Sequence, residues 1–149
     1  MVCFFLPVEL AMPGNCIFCK IAAGLIPSAK IYEDDKMLAF LDLNPVAKGH
    51  ALVVPKTHVA TLLDLPPGFG DAALAAMAAV GKAQMKILGT QGFNCLQNNF
   101  AAAGQEVMHL HWHVIPRVSG DGLAFTWIPG NYASHDEMLS LAEKLNLSM

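Results

Sequence analysis

His109, His111 and His113 alternate with Leu110, Trp112 and Val114. Apolar residues at every second position, running on to Ile115 and a break at Pro116, mark a half-buried strand, in which side chains two apart share a face. Read as a strand over 109–115, this segment sets three imidazoles on one side and three apolar groups on the other. Neighbouring rings would then stand about 6.5–7 Å apart along the chain. A fold that holds such a strand must pack one face and leave the other for chemistry. That arrangement suits either a metal site or a phosphate site built from histidine. A lone buried histidine is ordinarily a hydrogen-bonded core residue, but three in register with an apolar reverse face do not fit that description.

The rest of the chain supplies the setting for this strand. Residues 17–23 form a short helix stopped by Gly24 and Pro27. Strands are expected at 29–32 and 37–41, around the polar turn Glu33-Asp34-Asp35-Lys36, and at 51–54, ended by Pro55. The stretch 71–88 has Leu74, Met77, Val80 and Leu88 at helical spacing and is the one long helix, closed by Gly89. A fourth strand follows at 93–97, and the histidine strand is the fifth. Ser134-His135-Asp136-Glu137 reads as a capping box before a helix to about 145. Strands arriving mostly as hairpins predict an α+β fold with a five-stranded antiparallel sheet, one long helix and one or two shorter ones. The segment 118–132, with Gly120, Gly122, Trp127 and Gly130, is expected to be a flap or a partner contact.

With 149 residues the chain fits one domain, and such a domain buries about 70% of the surface its unfolded form exposes. The 54% hydrophobic content suits a packed core and also an oligomer. A formal net charge of −3 argues against a general nucleic-acid binder, which needs a basic stripe. The apolar N-terminus lacks a positive leading region and is interrupted by Pro7 and Glu9, so it reads as neither a signal peptide nor a membrane span. Residues 1–14 are expected to be a poorly ordered extension, residues 15–117 the core of the domain, and 118–149 its C-terminal loop and helix. Met12 is an alternative start.

Four cysteines without an export signal point to a reducing cytoplasm. Cys16 and Cys19 form a Cys-x-x-Cys pair with three readings: a redox dithiol, half of a metal site, or a chance pair of small residues. No strand precedes the pair, which weakens the redox reading, and half a zinc site needs two further ligands.

The segment Gly104-Gln105-Glu106-Val107-Met108-His109-Leu110-His111-Trp112-His113-Val114-Ile115 resembles the signature of histidine triad proteins. Further blocks agree in family order: Cys16-Ile17-Phe18-Cys19-Lys20-Ile21, Tyr32-Glu33-Asp34-Asp35, Ala39-Phe40-Leu41-Asp42, Gly49-His50-Ala51-Leu52-Val53-Val54-Pro55-Lys56 and Gln97-Asn98-Asn99. The resemblance covers about 15–117. It implies the histidine triad fold, a symmetric homodimer, and a nucleotide hydrolase or nucleotidyl transferase that cleaves the α-phosphate linkage of a purine nucleotide conjugate. His111 is then the nucleophile, a role open to a neutral imidazole whose Nδ1–H is held by a backbone carbonyl. His113, Asn98, Gln105 and backbone amides would stabilise the phosphoryl oxygens, and His50 would support the triad. Asp42 would accept ribose hydroxyls, and Ile17, Phe18, Ile21, Phe40 and Leu43 would hold the base. In zinc-containing relatives the matching ligands are Cys16, Cys19, His58 and His109, a closed structural zinc site.

The chain departs from the family pattern at three places. Glu106 stands where relatives carry Ser or Thr, Phe100 replaces a glycine after the paired asparagines, and Ile115-Pro116-Arg117 differs from the Gly-Gly-rich ending of the phosphoramidase branch. That ending is nearer to the polyphosphate hydrolase and bacterial branches. Two other function classes stand beside the enzyme reading. One is a nucleotide-binding or adaptor dimer with little turnover, and the other is a metalloenzyme with all three triad histidines as ligands.

Overall fold

The computed structural model describes residues 14–125 and 127–146, so the expected N-terminal extension lies, up to position 13, outside the described residues. The elements in chain order are α1 (Ile17–Ala22), β1 (Lys30–Glu33), β2 (Met37–Leu41), β3 (Ala51–Pro55), α2 (Phe69–Leu88), β4 (Gly92–Gln97), β5 (Trp112–Arg117) and α3 (His135–Asn146). Short 3-10 turns occur at Leu62–Asp64 and Ala101–Ala103. The strands make one antiparallel sheet ordered β1-β2-β3-β5-β4, the α+β architecture the sequence predicts. Because β5 lies between β3 and β4, those two run parallel to each other, and α2 is the connection between them.

Local chemistry explains the first hairpin. Asp34 Oδ1 accepts the N–H groups of Lys36 and Met37, both at 2.7 Å, and Asp34 Oδ2 accepts the Tyr32 hydroxyl at 2.9 Å. This is the side-chain-closed turn that Asp favours. The two strands after it are covered on both faces. Met37, Ala39, Ala51 and Val53 pack against α2, whereas Leu38, Phe40, Leu52 and Val54 pack with Phe18 and Ile21 of α1. Leu110, Trp112 and Val114 join the α2 side. The alternating apolar face of the histidine segment is therefore core, and the imidazoles look the other way.

The histidine strand starts later than its alternation predicts, at Trp112 rather than 109. The register Val53↔Trp112, carried two residues further, would set position 110 opposite Pro55. Proline has no N–H to extend a ladder. Leu110 N–H instead reaches Val59 O at 2.7 Å, and the chain bends at 107–109. The strand also runs on through Pro116, which sits beyond the last β3 pairing, Ala51↔Val114, and pairs there with Phe93 of β4.

A second correction concerns α2. Its buried stripe is Ala73, Ala76, Met77, Val80, Gly81 and Gln84, while Leu74 is 64% exposed and Leu88 lies half-exposed at the helix end. Leu74 is turned about 100° from Ala73 around the axis, and small residues define the contact face. Gln84 is a buried polar residue that apolar periodicity does not reveal. Its Nε2 donates to Gly49 O and Val114 O, both at 2.9 Å, so one amide ties together the backbones next to His50 and His113.

α3 starts at the expected capping box. Ser134 Oγ accepts Glu137 N–H at 3.1 Å, and the Glu137 carboxylate accepts Ala133 N–H at 2.5 Å. Its residues are all exposed. Among the described residues no helix is long and apolar enough to cross a membrane.

Candidate active site

The bend before β5 and the strand itself present the three histidines differently. His111 is buried, and its Nδ1 lies 2.7 Å from His109 O. A carbonyl only accepts, so Nδ1 carries the hydrogen and Nε2 keeps its lone pair. The ring is held edge-on by Phe18 at 5.3 Å and by His113 at 5.1 Å between centroids. His113 takes the opposite tautomer. Val46 N–H donates to His50 Nδ1 at 3.3 Å, so His50 Nε2 holds a hydrogen and donates it to His113 Nδ1 at 2.9 Å. That leaves the hydrogen of His113 on Nε2. Two neighbouring rings thus offer one lone pair and one N–H donor.

Burial favours the neutral forms of His113 and His50. It pushes His113 down to about 4, with the neighbouring His111 and His50 acting in the same sense, and it lowers His50 against the opposing pull of Asp42. Unfolded histidines titrate near 6.5. Between that value and about 4 the unfolded chain therefore binds more protons, and stability falls as pH falls. We expect the urea midpoint to drop steadily from pH 6.5 to pH 4.5. A His113→Asn variant should show a shallower slope, and an equal slope would refute the assignment.

A cleft of about 600 Å³ opens in front of His111 and His113. Ile17, Phe18, Ile21, Phe40 and Leu43 all line it, and Phe18 meets Phe40 edge-on at 5.7 Å. Asp42 stands on its wall, with Oδ1 accepting Asn44 N–H at 2.9 Å and Oδ2 3.8 Å from His50 Nδ1. His50, Asn98 and Glu106 line the same cleft. Ile26, Val46 and Leu52 also line it; they carry no sequence signal beyond being apolar.

Gln105 is the sequence-predicted site residue that the structure keeps out of the cleft. It is buried, with Nε2 donating to Ala60 O at 2.7 Å and Val107 O at 3.0 Å, and Oε1 accepting Phe100 N–H at 2.8 Å. A side chain with these partners fixes the loop and has no donor left for a phosphate. Phe100 itself has φ 67° and ψ 162°, the one positive φ among described non-glycine residues. This backbone region favours glycine, and holding a phenylalanine in it costs about 1–3 kcal/mol in strain. Phe100→Gly is expected to raise unfolding free energy by about 1 kcal/mol after the extra chain entropy of glycine is subtracted, measured by urea denaturation.

On the far side of His109 lies a second cluster. His109 Nε2 donates to Pro55 O at 2.9 Å, which turns the Nδ1 lone pair towards Cys16 Sγ at 3.4 Å and Cys19 Sγ at 3.5 Å. His58 Nδ1 lies 3.3 Å from Cys19 Sγ. All four donor atoms fall within 4.8 Å of one another. Burial and the adjacent Cys16 push the Cys19 thiol up to about 12, so two thiolates side by side here need a cation. The donor set suits a metal ion. It also separates His109 from His111 and His113, so the triad does not converge on one ion.

The comparisons with known proteins agree with this geometry. A family model described as the HIT domain matches residues 23–120. The Bacillus subtilis protein named hit is 46% identical over 114 residues, covering 76% of this chain and 79% of that protein. An adenosine 5'-monophosphoramidase of Schizosaccharomyces pombe is 41% identical over 133 residues, covering 89% and 96% of the two chains. A Zn-bound histidine triad family protein from Mycobacterium smegmatis superposes with a TM-score of 0.65 at 38% identity, over 91% of this chain and 98% of that one. With its fold, its histidine segment and these relatives in agreement, the chain belongs to the histidine triad family.

Proposed function

We propose that this protein is a nucleotide hydrolase or nucleotidyl transferase that cleaves the α-phosphate linkage of a purine nucleotide conjugate, a phosphoramidate or a dinucleoside polyphosphate, through a nucleotidyl-histidine on His111. The observation that carries the reading is the tautomer of His111. Its Nδ1–H is held by His109 O, so the Nε2 lone pair is free to attack where the ring lines the cleft. The phosphoramidase activity in the name of the S. pombe relative supports a P–N substrate.

In the first step a bond forms between Nε2 and phosphorus and the P–N or P–O bond breaks. The leaving atom departs with its electron pair, and a leaving nitrogen takes a proton from solvent. In the second step water attacks phosphorus, the P–Nε2 bond breaks, and the proton lost by that water returns to solvent. His113 Nε2–H and Asn98 would stabilise the phosphoryl oxygens, while Gln105 would position the loop that carries them. Asp42 would accept the ribose hydroxyls, and Ile17, Phe18, Ile21, Phe40 and Leu43 would hold the base.

Zinc is the metal best suited to Cys16, Cys19, His58 and His109. Tetrahedral zinc with bonds of about 2.3 Å to sulfur and about 2.0 Å to nitrogen sets those donors about 3.5 Å apart. The separations of 3.3–3.5 Å between cysteine Sγ and histidine Nδ1 atoms fit that spacing. An ion held by all four of these residues would serve a structural role, since no position would remain for water. A reducing cytoplasm suits free thiols of this kind. The exposed edge strand β4, with Phe93 on it, and the outward Leu74 of α2 support a homodimer with two-fold symmetry.

The direct test is AMP release from adenosine 5′-phosphoramidate and from diadenosine tetraphosphate, with a second acceptor varied. Release with ping-pong kinetics is expected from at least one. No release from either, with AMP still bound, would replace the enzyme reading with that of a nucleotide-binding dimer.

A further inference from the structure

Small and apolar residues fill the face that α2 turns to the sheet, with the exception of Gln84. This residue is 5% exposed, its Oε1 is buried without a hydrogen-bond partner, and its Nε2 lies 2.9 Å from both Gly49 O and Val114 O. Carbonyls only accept, which fixes the amide with its nitrogen towards them. Burying a polar atom without a partner destabilises a fold, and an apolar residue of the same length would avoid that cost. What such a residue could not supply is the donor end of Gln84.

The register of the sheet explains why a donor is needed there. Asp42 N–H donates to His50 O at 2.9 Å, so the backbone groups of His50 face β2, and those of Gly49 and Ala51 face β5. Ala51 pairs with Val114, and the same register two residues further sets Gly49 opposite Pro116. A Cβ on Gly49 would stand 3.7 Å from the Pro116 ring, as that register requires. Proline has no N–H, so the strand offers Gly49 O no donor. Gln84 reaches that carbonyl from α2 and joins it to Val114 O, on the strand that carries His113. Gly49, at φ 96°, allows the helix this close, because a Cβ there would run into Leu88 of α2.

We propose that Gln84 is a positioning residue: its amide stands in for the N–H that Pro116 lacks and so holds His50 within hydrogen-bonding distance of His113. Gly49 precedes His50 and Val114 follows His113, so each carbonyl that the amide ties is one residue from a histidine. Those histidines meet at 2.9 Å, Nε2 of His50 to Nδ1 of His113. Without the tie, Gly49 O must find another donor, and the His50 end of β3 shifts away from β5. His113 then loses the partner that occupies its Nδ1 lone pair and holds its ring. Gln84 does not line the cleft, so it acts through this pair. The effect on rate rests on nucleotidyl transfer at His111, whereas the effect on the histidine pair does not.

Gln84→Met removes the donor and keeps the length of the side chain, and Gln84→Leu takes its place if the methionine variant fails to fold. In the full chain, kcat for AMP release from adenosine 5′-phosphoramidate is expected to fall about tenfold with KM little changed. In isotopically labelled protein, the scalar coupling from His50 Nε2–H across the hydrogen bond to His113 Nδ1, present in the wild type, is expected to vanish. Adding Pro116→Ala restores a backbone N–H opposite Gly49 and should return both readings to near the wild type, which a role confined to packing does not predict. An unchanged coupling in the Gln84 variant, or a loss that Pro116→Ala leaves in place, would overturn the proposal. Absence of AMP release from the wild type would count against nucleotidyl transfer, while the coupling and its rescue still decide the role of Gln84.

Discussion

Replacing His111 with Asn is expected to lower AMP release by about 10³–10⁵-fold with little change in fold or nucleotide affinity. The asparagine amide still reaches towards His109 O, the hydrogen bond that orients the ring in the wild type at 2.7 Å, but it offers no nucleophilic nitrogen. His113→Asn should cost less, about 10²–10³-fold, because it removes one donor to the phosphoryl group rather than the attacking atom. The unequal pair of losses follows from the opposite tautomers that His109 O and His50 impose on the two rings. Equal losses, measured as kcat/KM on one substrate, would contradict that assignment.

Disruption of the Cys16, Cys19, His58 and His109 cluster, which could hold a metal ion, is expected to be the second large effect. Cys16 and Cys19 stand at the start of a six-residue α1, His58 follows β3, and His109 lies in the bend before β5. An ion bound there ties three separate parts of the chain together, and α1 is too short to be stable without such support. Cys19→Ser, or chelation at neutral pH, is expected to lower the thermal midpoint by about 10 °C or more. Activity should fall with it, because Phe18 on α1 and the His109 carbonyl both hold His111 in place. Elemental analysis should find zinc in the wild type, in His111→Asn and in His113→Asn, but not in Cys16→Ser, Cys19→Ser or His58→Ala. Metal lost on changing His111 or His113 would favour the metalloenzyme reading.

Much of this arrangement is legible in the chain. The polar turn at Asp34 and the apolar runs of β2 and β3 mark the hairpin core, and the alternation after His109 separates a core face from a chemical face. What the sequence hides has physical causes. The delayed start of β5 depends on a partner strand ending in Pro55, a pairing visible only in the folded sheet. The stripe of α2 follows small residues that allow close approach, so large ones such as Leu74 misplace it. Gln84 and Gln105 donate to backbone carbonyls that lie far from them in sequence, and motif spacing does not register such partners. In the sequence, only family resemblance pairs Cys16 and Cys19 with His58 and His109. The fold brings those four donors within 4.8 Å of one another.

The most direct test of the account is to trap the intermediate. The wild-type protein would be mixed with adenosine 5′-phosphoramidate, quenched with alkali within milliseconds to preserve the P–N bond, and digested for peptide mass spectrometry. AMP attached to His111 is the predicted result. AMP attached to another residue, or a turning-over enzyme with no adduct on His111 at any quench time, would contradict nucleotidyl transfer through this histidine.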